Sequence, residues 1–333
     1  MKIVFRTEGD AATGAGHALR CLALAEAIQA IAPDAQIAFA ARDETFQALP
    51  RLARFDRMGP EPAPCDLAIV DGYGFDQALE AAWAAQGARV AAMEDWPGRR
   101  HRCEVLIDPA PARKPGDYRA LVPAGTELLL GLRYALVAPA LRTRRTEALA
   151  RLRRPQGVRR VLVSTGLGDV GGGAVAALEA LKGLSFVQRI DVAVGSGAAS
   201  RHALMRLAAA DPRVKLMFDA EGMDALMVAA DLAIGAAGGS AWERCVLGLP
   251  SLVLLAADNQ KDNAEALKAA GAATVLGRAG EVAPAVIAAE VERLQADPNA
   301  RRAMGRAASE LVDGRGAERV ARALLRGLSA RKP

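Results

Sequence analysis

Along the first half of the chain, short apolar runs alternate with longer stretches whose apolar positions recur at helical spacing. The runs predict strands at Lys2–Arg6, Gln36–Ala40, Asp66–Asp71, Arg89–Glu94 and Val105–Ile107. The longer stretches predict helices at Gly16–Ala32, Asp43–Leu52 and Phe75–Gln86. Runs such as Leu67-Ala68-Ile69-Val70 are apolar on both faces, as strands of a covered parallel sheet are. From Pro109 to Pro139 the pattern is less regular, with one strand-like segment at Glu127–Leu132.

A second alternating unit follows. Strands are predicted at Arg159–Ser164, Arg189–Val194, Val214–Phe218, Asp231–Gly235, Ser251–Leu255 and Ala273–Leu276. Helices are predicted at Gly173–Lys182, Ser200–Ala210, Asp224–Ala230, Ala241–Leu247 and Asp262–Ala270, with more helix from about Val282 to Leu328. Both halves start strand, glycine loop, helix. This predicts an α/β protein of two doubly wound, Rossmann-like domains facing a central cleft, with ligands at the carboxyl ends of the strands. The expected divisions are a first domain over 1–140, a linker over 141–157, a second domain over 158–312, and a closing helix over 313–333 that packs back on the first domain. The linker expectation rests on Arg142, Arg144, Arg145, Arg151, Arg153 and Arg154 crowded between Pro139 and Pro155.

Composition narrows the classes. The 333 residues are 52% hydrophobic, 24% charged and 4% aromatic, which suits a globular chain large enough for two cores. The net charge of +5 is spread over many helices with few aromatics to stack bases, so no nucleic-acid partner is expected. No run is long enough to span a membrane and the N-terminus enters a strand directly, so the expectation is a cytoplasmic protein with no membrane partner. Cys21, Cys65, Cys103 and Cys245 form no CxxC pair and read as buried free thiols rather than disulfides or metal ligands. No metal and no cofactor are expected, and nothing here bears on oligomeric state.

Candidate chemistry gathers in the loops. Thr13-Gly14-Ala15-Gly16-His17 joins the first strand to the first helix. Gly9 and Gly14 have Walker A spacing, but Ala15-Gly16 replaces the lysine and hydroxyl pair, so this is not an NTPase loop. His17 is the one histidine in a glycine loop at a helix start. It is either a polar helix-start residue or a general base with a pKa near neutrality, and the loop favours the base. His101 and His202 read as surface or packing residues.

In the second half, Gly166-Leu167-Gly168-Asp169-Val170-Gly171 is a formal G-x-G-x-x-G, but the next strand ends in Gly195-Ser196-Gly197 with no acidic residue for a ribose. A ligand-lining turn fits better than a dinucleotide site. Gly238-Gly239-Ser240 would offer backbone amides and a hydroxyl to a phosphate at a helix N-terminus, and Glu243 one turn on either favours the helix dipole or accepts ribose hydroxyls. Asp258-Asn259-Gln260 caps a helix or bonds a sugar or phosphate. Asp71-Gly72-Tyr73-Gly74 and Glu94-Asp95-Trp96 are either turns or a polar wall facing a sugar.

Taken together these pieces resemble a known family. Phe5-Arg6-Thr7-Glu8-Gly9, Gly14-Ala15-Gly16-His17 and Arg20 to Ala25 are similar to the start of UDP-2,4-diacetamido-2,4,6-trideoxy-β-L-altropyranose hydrolases of pseudaminic acid biosynthesis. The resemblance continues through Asp71 to Gly74, Glu94-Asp95, His101 to Asp108, Asp117 to Pro123, Gly131 to Leu136, Ser240 to Glu243, Gly248-Leu249-Pro250 and Asn259-Gln260. It spans residues 1 to about 275. It implies a GT-B-like fold related to the lipid II-forming N-acetylglucosaminyltransferase, with a first domain supplying the base and a second binding UDP. It further implies that His17 activates water to attack the anomeric carbon, with C–O cleavage and inversion, and that Tyr73 and Asn259 act at the sugar. Arg6, Gly14, Gly16, Arg20 and Asp95 would contact substrate from the first domain. Gly166, Leu167, Gly238, Gly239, Ser240, Glu243 and Gln260 would do so from the second, with Glu243 on the ribose. A small-molecule UDP-sugar is the implied partner. Two positions depart from the family pattern. Gly72 stands where members have histidine, and Thr165-Gly166-Leu167-Gly168-Asp169 replaces Gly-Gly-Ser/Thr-Asp.

Overall fold

The structure, a computed structural model, describes residues 1–9, 16–153 and 157–329. It divides into one unit of residues 1–139 and 314–333 and another of residues 140–313. The first unit contains strands β1 (Lys2–Thr7), β2 (Gln36–Ala40), β3 (Asp56–Met58), β4 (Leu67–Asp71), β5 (Arg89–Met93), β6 (Val105–Asp108) and β7 (Glu127–Leu130). Its main helices are α1 (Gly16–Ile31), α2 (Asp43–Ala48), α3 (Gln77–Ala85) and the single turn α4 (Pro115–Tyr118). Among the described residues, the seven strands form one sheet in the order β3-β2-β1-β4-β5-β6-β7, every pairing parallel. The order reverses between β1 and β4, where Thr7 lies opposite Asp71. Strand β3 escaped sequence reading because its three residues are exposed or half-buried and carry no apolar run.

The stretch expected to link the halves folds, over Pro139–Arg153, into helix α5 (Pro139–Leu149) and a 3-10 turn. Arg154 lies outside the described residues. The rest of the second unit holds β8 (Arg160–Ser164), α6 (Gly173–Lys182), β9 (Arg189–Val194), α7 (Arg201–Ala210), β10 (Val214–Phe218) and α8 (Met223–Ala229). It continues with β11 (Leu232–Ala236), α9 (Gly239–Val246), β12 (Ser251–Leu255), α10 (Lys261–Ala269), β13 (Thr274–Arg278), α11 (Pro284–Ala296) and α12 (Pro298–Leu311). Its six strands are parallel in the order β10-β9-β8-β11-β12-β13, reversing between β8 and β11. The two doubly wound sheets expected from the sequence are thus both present.

The last helix, α13 (Gly316–Ser329), belongs to the first unit. Val320, Ala321 and Leu324 are buried in one core cluster with Cys21, Leu24 and Ile28 of α1 and Phe5, Phe39 and Ile69 of the sheet. This explains why α1 is apolar nearly all round. It lies between a sheet and a helix, and a helix covered on both sides needs no polar face. In the second unit, Arg145 of α5 donates to the carbonyls of Val246, Ser309 and Val312, at the ends of α9 and α12. Arg151 does the same for Met227, Val228 and Ala230 at the end of α8. Guanidinium groups there satisfy orphan carbonyls at the negative ends of helix dipoles.

All four cysteines are free, with Cys21, Cys103 and Cys245 buried and Cys65 half-buried. Among the described residues no helix is long and apolar enough to cross a membrane.

Candidate functional site

Each unit has a polar cluster at the carboxyl ends of its strands, where the strand order reverses. In an open parallel sheet that is where ligands bind.

In the first unit the cluster is built around Asp71, the last residue of β4, whose side chain is fully buried. Three residues on one face of α1 converge on it, at positions i, i+3 and i+4. His17 Nδ1 lies 2.8 Å from Asp71 Oδ1. Arg20 donates from Nε to Oδ2 at 2.7 Å and from Nη2 to Oδ1 at 2.5 Å. Cys21 Sγ donates to Oδ2 at 3.4 Å. Burial alone would favour the neutral acid, but Arg20 and His17 override it and hold the carboxyl well below the usual carboxylate range. Conversely, burial and the Asp71 charge push the Cys21 thiol well above its ordinary value, so it remains a protonated donor.

This arrangement defines the imidazole. With Nδ1–H directed at Asp71, Nε2 carries the lone pair. Burial opposes protonation of His17, but the Asp71 carboxylate outweighs it and the pKa is raised. A histidine so held takes up a proton at its outer nitrogen and is stabilised as imidazolium by the carboxylate behind it. Asp71 was not among the residues singled out as a site from the sequence. It stood in a motif whose bland reading was a turn.

Asp95, just beyond β5, extends the cluster. It accepts from Arg20 Nη1 at 2.5 Å and from the Tyr73 hydroxyl at 2.9 Å. The Tyr73 ring stands edge-on to His17 with centroids 4.3 Å apart, and lies 4.9 Å from the Trp96 ring. Both aromatics are nearly half exposed. The Tyr73 turn is held from behind. Arg99 donates to the carbonyls of Gly72 (3.1 Å), Tyr73 (3.2 Å) and Phe75, and pairs with the buried Glu94. His101 Nε2 lies 3.1 Å from Glu94 and its Nδ1 2.8 Å from Glu80. His101 is therefore not a surface residue; it is 4% exposed. Burial works against its charge, but the bonds to Glu80 and Glu94 prevail and raise its pKa to about 9.

The other first-unit candidates fare differently. Gly14 lies outside the described residues. Gly16 opens α1 in open space. Arg6 is buried and spends its contacts on the carbonyls of Thr7 and Ala40 and on the Phe75 ring, rather than joining the Asp71 cluster. Gly72 has a reason to be glycine. A Cβ there would sit 2.7 Å from both the Glu8 carboxyl carbon and the Phe75 ring.

In the second unit, Gly235 at the end of β11 pairs with Ser164 of β8. Gly238 caps α9 in an extended conformation, and Gly239 and Ser240 open the helix. The turn is pinned by side chains. Gln260 Oε1 accepts from the amides of Ala237 (3.2 Å) and Ala256 (3.1 Å), and Asn263 Nδ2 donates to Ala237 O at 2.9 Å. Gln260 thus shapes the loop with its side-chain oxygen. Glu243 is half-buried on α9, and Asn259 is exposed in the 3-10 turn after β12. In the β8–α6 loop, Gly166 has φ +100°, a left-handed conformation that favours glycine, and Leu167 is 40% exposed. Asp169 organises this loop, accepting from Thr165 Oγ1 (2.6 Å), the Ala174 amide (2.8 Å) and Ser200 Oγ (2.5 Å). The start of α9, with Gly239 exposed and Gly238 and Ser240 half-buried, has the free amides of a helix N-terminus beside a hydroxyl, a seat suited to an anion.

Comparison with known proteins adds to this geometry. Residues 176–320 match the model of the glycosyltransferase family 28 C-terminal domain. A stretch of 209 residues is 28% identical to the spore coat polysaccharide biosynthesis protein SpsG of Bacillus subtilis strain 168, and covers 62% of this chain and 60% of that protein. The chain thus spans about three fifths of the length of that curated relative. Among solved structures, MurG of Acinetobacter baumannii has a TM-score of 0.68 at 17% identity, with 98% of this chain and 99% of that chain covered. The UDP-GlcNAc 2-epimerase of Neisseria meningitidis, bound to UDP-GlcNAc, has 0.67 at 14%, with 98% and 100% covered. The spinosyn rhamnosyltransferase SpnG, complexed with spinosyn aglycone, has 0.62 at 17%, with 99% and 100% covered. At these identities the likeness is one of fold, and the chain has the α/β GT-B architecture of two Rossmann-like parallel-sheet units.

Proposed function

We propose that the chain hydrolyses a UDP-sugar, releasing UDP and the free sugar. The observation that carries this reading is the His17–Asp71 pair. It is a buried, fully charged orienting carboxylate behind an imidazole whose outer nitrogen is available as a base. The second unit carries an anion seat of its own at Gly238–Ser240. In the proposed step His17 Nε2 removes a proton from water as the water oxygen bonds to the anomeric carbon. The anomeric C–O bond breaks on the opposite face, and its electron pair leaves on the diphosphate oxygen. UDP is a good leaving group, so one oriented base with amides on the diphosphate is sufficient chemistry. Tyr73 with Asp95 would meet the sugar, Asn259 would act beside it, and Glu243 would hold the ribose. The sequence resemblance makes the 2,4-diacetamido-2,4,6-trideoxy-altrose nucleotide of pseudaminic acid biosynthesis the substrate to try first. The polysaccharide-biosynthesis name of the curated relative is in keeping with a sugar-building role.

A second reading has its own support. The family whose model fits residues 176–320 is named for glycosyl transfer. In a transferase the same base would deprotonate an acceptor hydroxyl in place of water. Incubation with the UDP-sugar and no acceptor, followed by NMR, separates the two. Hydrolysis predicts stoichiometric UDP and an inverted free sugar. No turnover until an acceptor is added would establish transfer and sink the hydrolase.

A further inference from the structure

We propose that Arg244 is the buried countercharge of the anion seat on α9, setting the Ser240 hydroxyl and adding a positive field for a diphosphate. This deepens the proposed function and rests on its assignment of the diphosphate to that turn.

Arg244 lies in the last turn of α9 and is 1% exposed. Its guanidinium reaches back toward the start of the helix. Nη1 donates to Ser240 Oγ at 3.2 Å, Nη2 to Ala236 O at 2.7 Å and Nε to Ser251 Oγ at 3.2 Å. All three acceptors are neutral. The space it occupies depends on Gly235, where a Cβ would lie 2.9 Å from Nη1 and 2.6 Å from Ser164 O. Gly235 and Ser164 are the paired residues of β11 and β8, so the charge sits beneath the reversal point of the sheet.

The placement is electrostatically odd for a purely structural arginine. Arg145 and Arg151, in the same unit, point at helix carboxyl ends, where the dipole is negative. Arg244 points at a helix amino end, where it is already positive. Burial, opposed in part by the nearby Cys245 and Glu243, lowers its pKa to about 10, which still leaves it charged at neutral pH. A buried, unpaired cation costs several kcal/mol. An anion seated on the Gly238–Ser240 amides relieves both the unpaired charge and its opposition to the dipole. The hydrogen bonding also has a direction. Because Ser240 Oγ accepts from Arg244, its own proton is turned to a further acceptor, which a phosphate oxygen supplies.

The test compares uridine, UMP, UDP and inorganic pyrophosphate by calorimetry on the full chain. Arg244→Gln is expected to weaken UDP about 100-fold and pyrophosphate by a similar factor, while uridine changes less than about 3-fold. Ser240→Ala is expected to weaken UDP about 10-fold in the parent, and hardly at all in the Arg244→Gln background, since the two act as one unit. Equal losses for uridine and UDP, or no loss for UDP, would overturn the inference while leaving the nucleotide site intact. Parent protein that binds pyrophosphate but not UDP would overturn the nucleotide reading and leave the Arg244 seat standing. If Arg244→Gln does not fold, Ser240→Ala decides alone: a loss confined to the phosphorylated ligands supports the inference, and one shared by uridine overturns it.

Discussion

His17 and Asp71 are 54 positions apart in the chain, yet 2.8 Å apart in space, because β1 and β4 are neighbours in the sheet. The pair ties the start of α1 to the end of β4. It also makes the protonation of one residue depend on the charge of the other.

Asp71→Asn should therefore act on rate rather than on UDP affinity. The amide keeps the shape but neither fixes the imidazole tautomer nor stabilises the imidazolium, and a loss of about 100- to 10,000-fold in kcat is expected. His17→Ala should lose as much, with UDP binding nearly unchanged.

The pH profile gives the same pair a second test. His17 acts as a base only when deprotonated, and its pKa is raised. Activity should rise with pH along a limb centred above 6.5, the ordinary histidine value. In Asp71→Asn the residual activity should show that limb at lower pH. An unmoved limb would remove Asp71 from the assignment.

His101 predicts a pH effect on stability. Its folded pKa of about 9 exceeds the ordinary 6.5, so the folded state holds a proton that the unfolded chain releases earlier. The stabilisation is fully present below pH 6.5 and is lost as pH rises through 9, by an amount on the order of 3 kcal/mol. Urea midpoints from pH 6 to 9.5 should fall in the parent and flatten in His101→Gln.

Arg99→Met should loosen the Tyr73 turn without touching the second unit. About a tenfold fall in kcat is expected, since small displacements at a reacting centre are costly, with UDP affinity retained. A matching fall in UDP affinity would count against this positioning role.

Gly316 packs directly against backbone in the first unit. A Cβ there would lie 2.1 Å from Ala135 O and 2.6 Å from Ala135 N, and backbone cannot swing aside as a side chain can. Gly316→Ala should destabilise this unit by about 3 kcal/mol. Gly183→Ala, where a Cβ meets nothing within 4 Å, is the matched control and should melt like the parent.

The sequence disclosed what depends on local pattern. Apolar runs marked all the long strands, and a glycine loop before a helix marked His17. What it concealed depends on which strands become neighbours. Asp71 looked like the first residue of a turn because nothing in its own segment says that β1 lies beside it. Arg145 and Arg151 looked like a solvated linker because all their carbonyl partners but Ala148 lie between 76 and 167 positions away. Arg244 occupied what periodicity reads as a polar helix position, and only the reversal of strand order above Gly235 buries it. Gln260 stood in a motif expected to cap a helix or bond a sugar or phosphate, and its oxygen instead accepts from the amides of Ala237 and Ala256, the first of them 23 positions away.

Helix α13 has a consequence for the order in which the molecule can be made. Helix α1, which carries His17 and Arg20 at its start, is covered on the side away from the sheet by residues 316–329. During synthesis from the amino end, residues 140–313 leave the ribosome before that covering helix exists. The half that holds the proposed base is thus begun first and closed last, its core sealed only after the unit that carries the anion seat has been made.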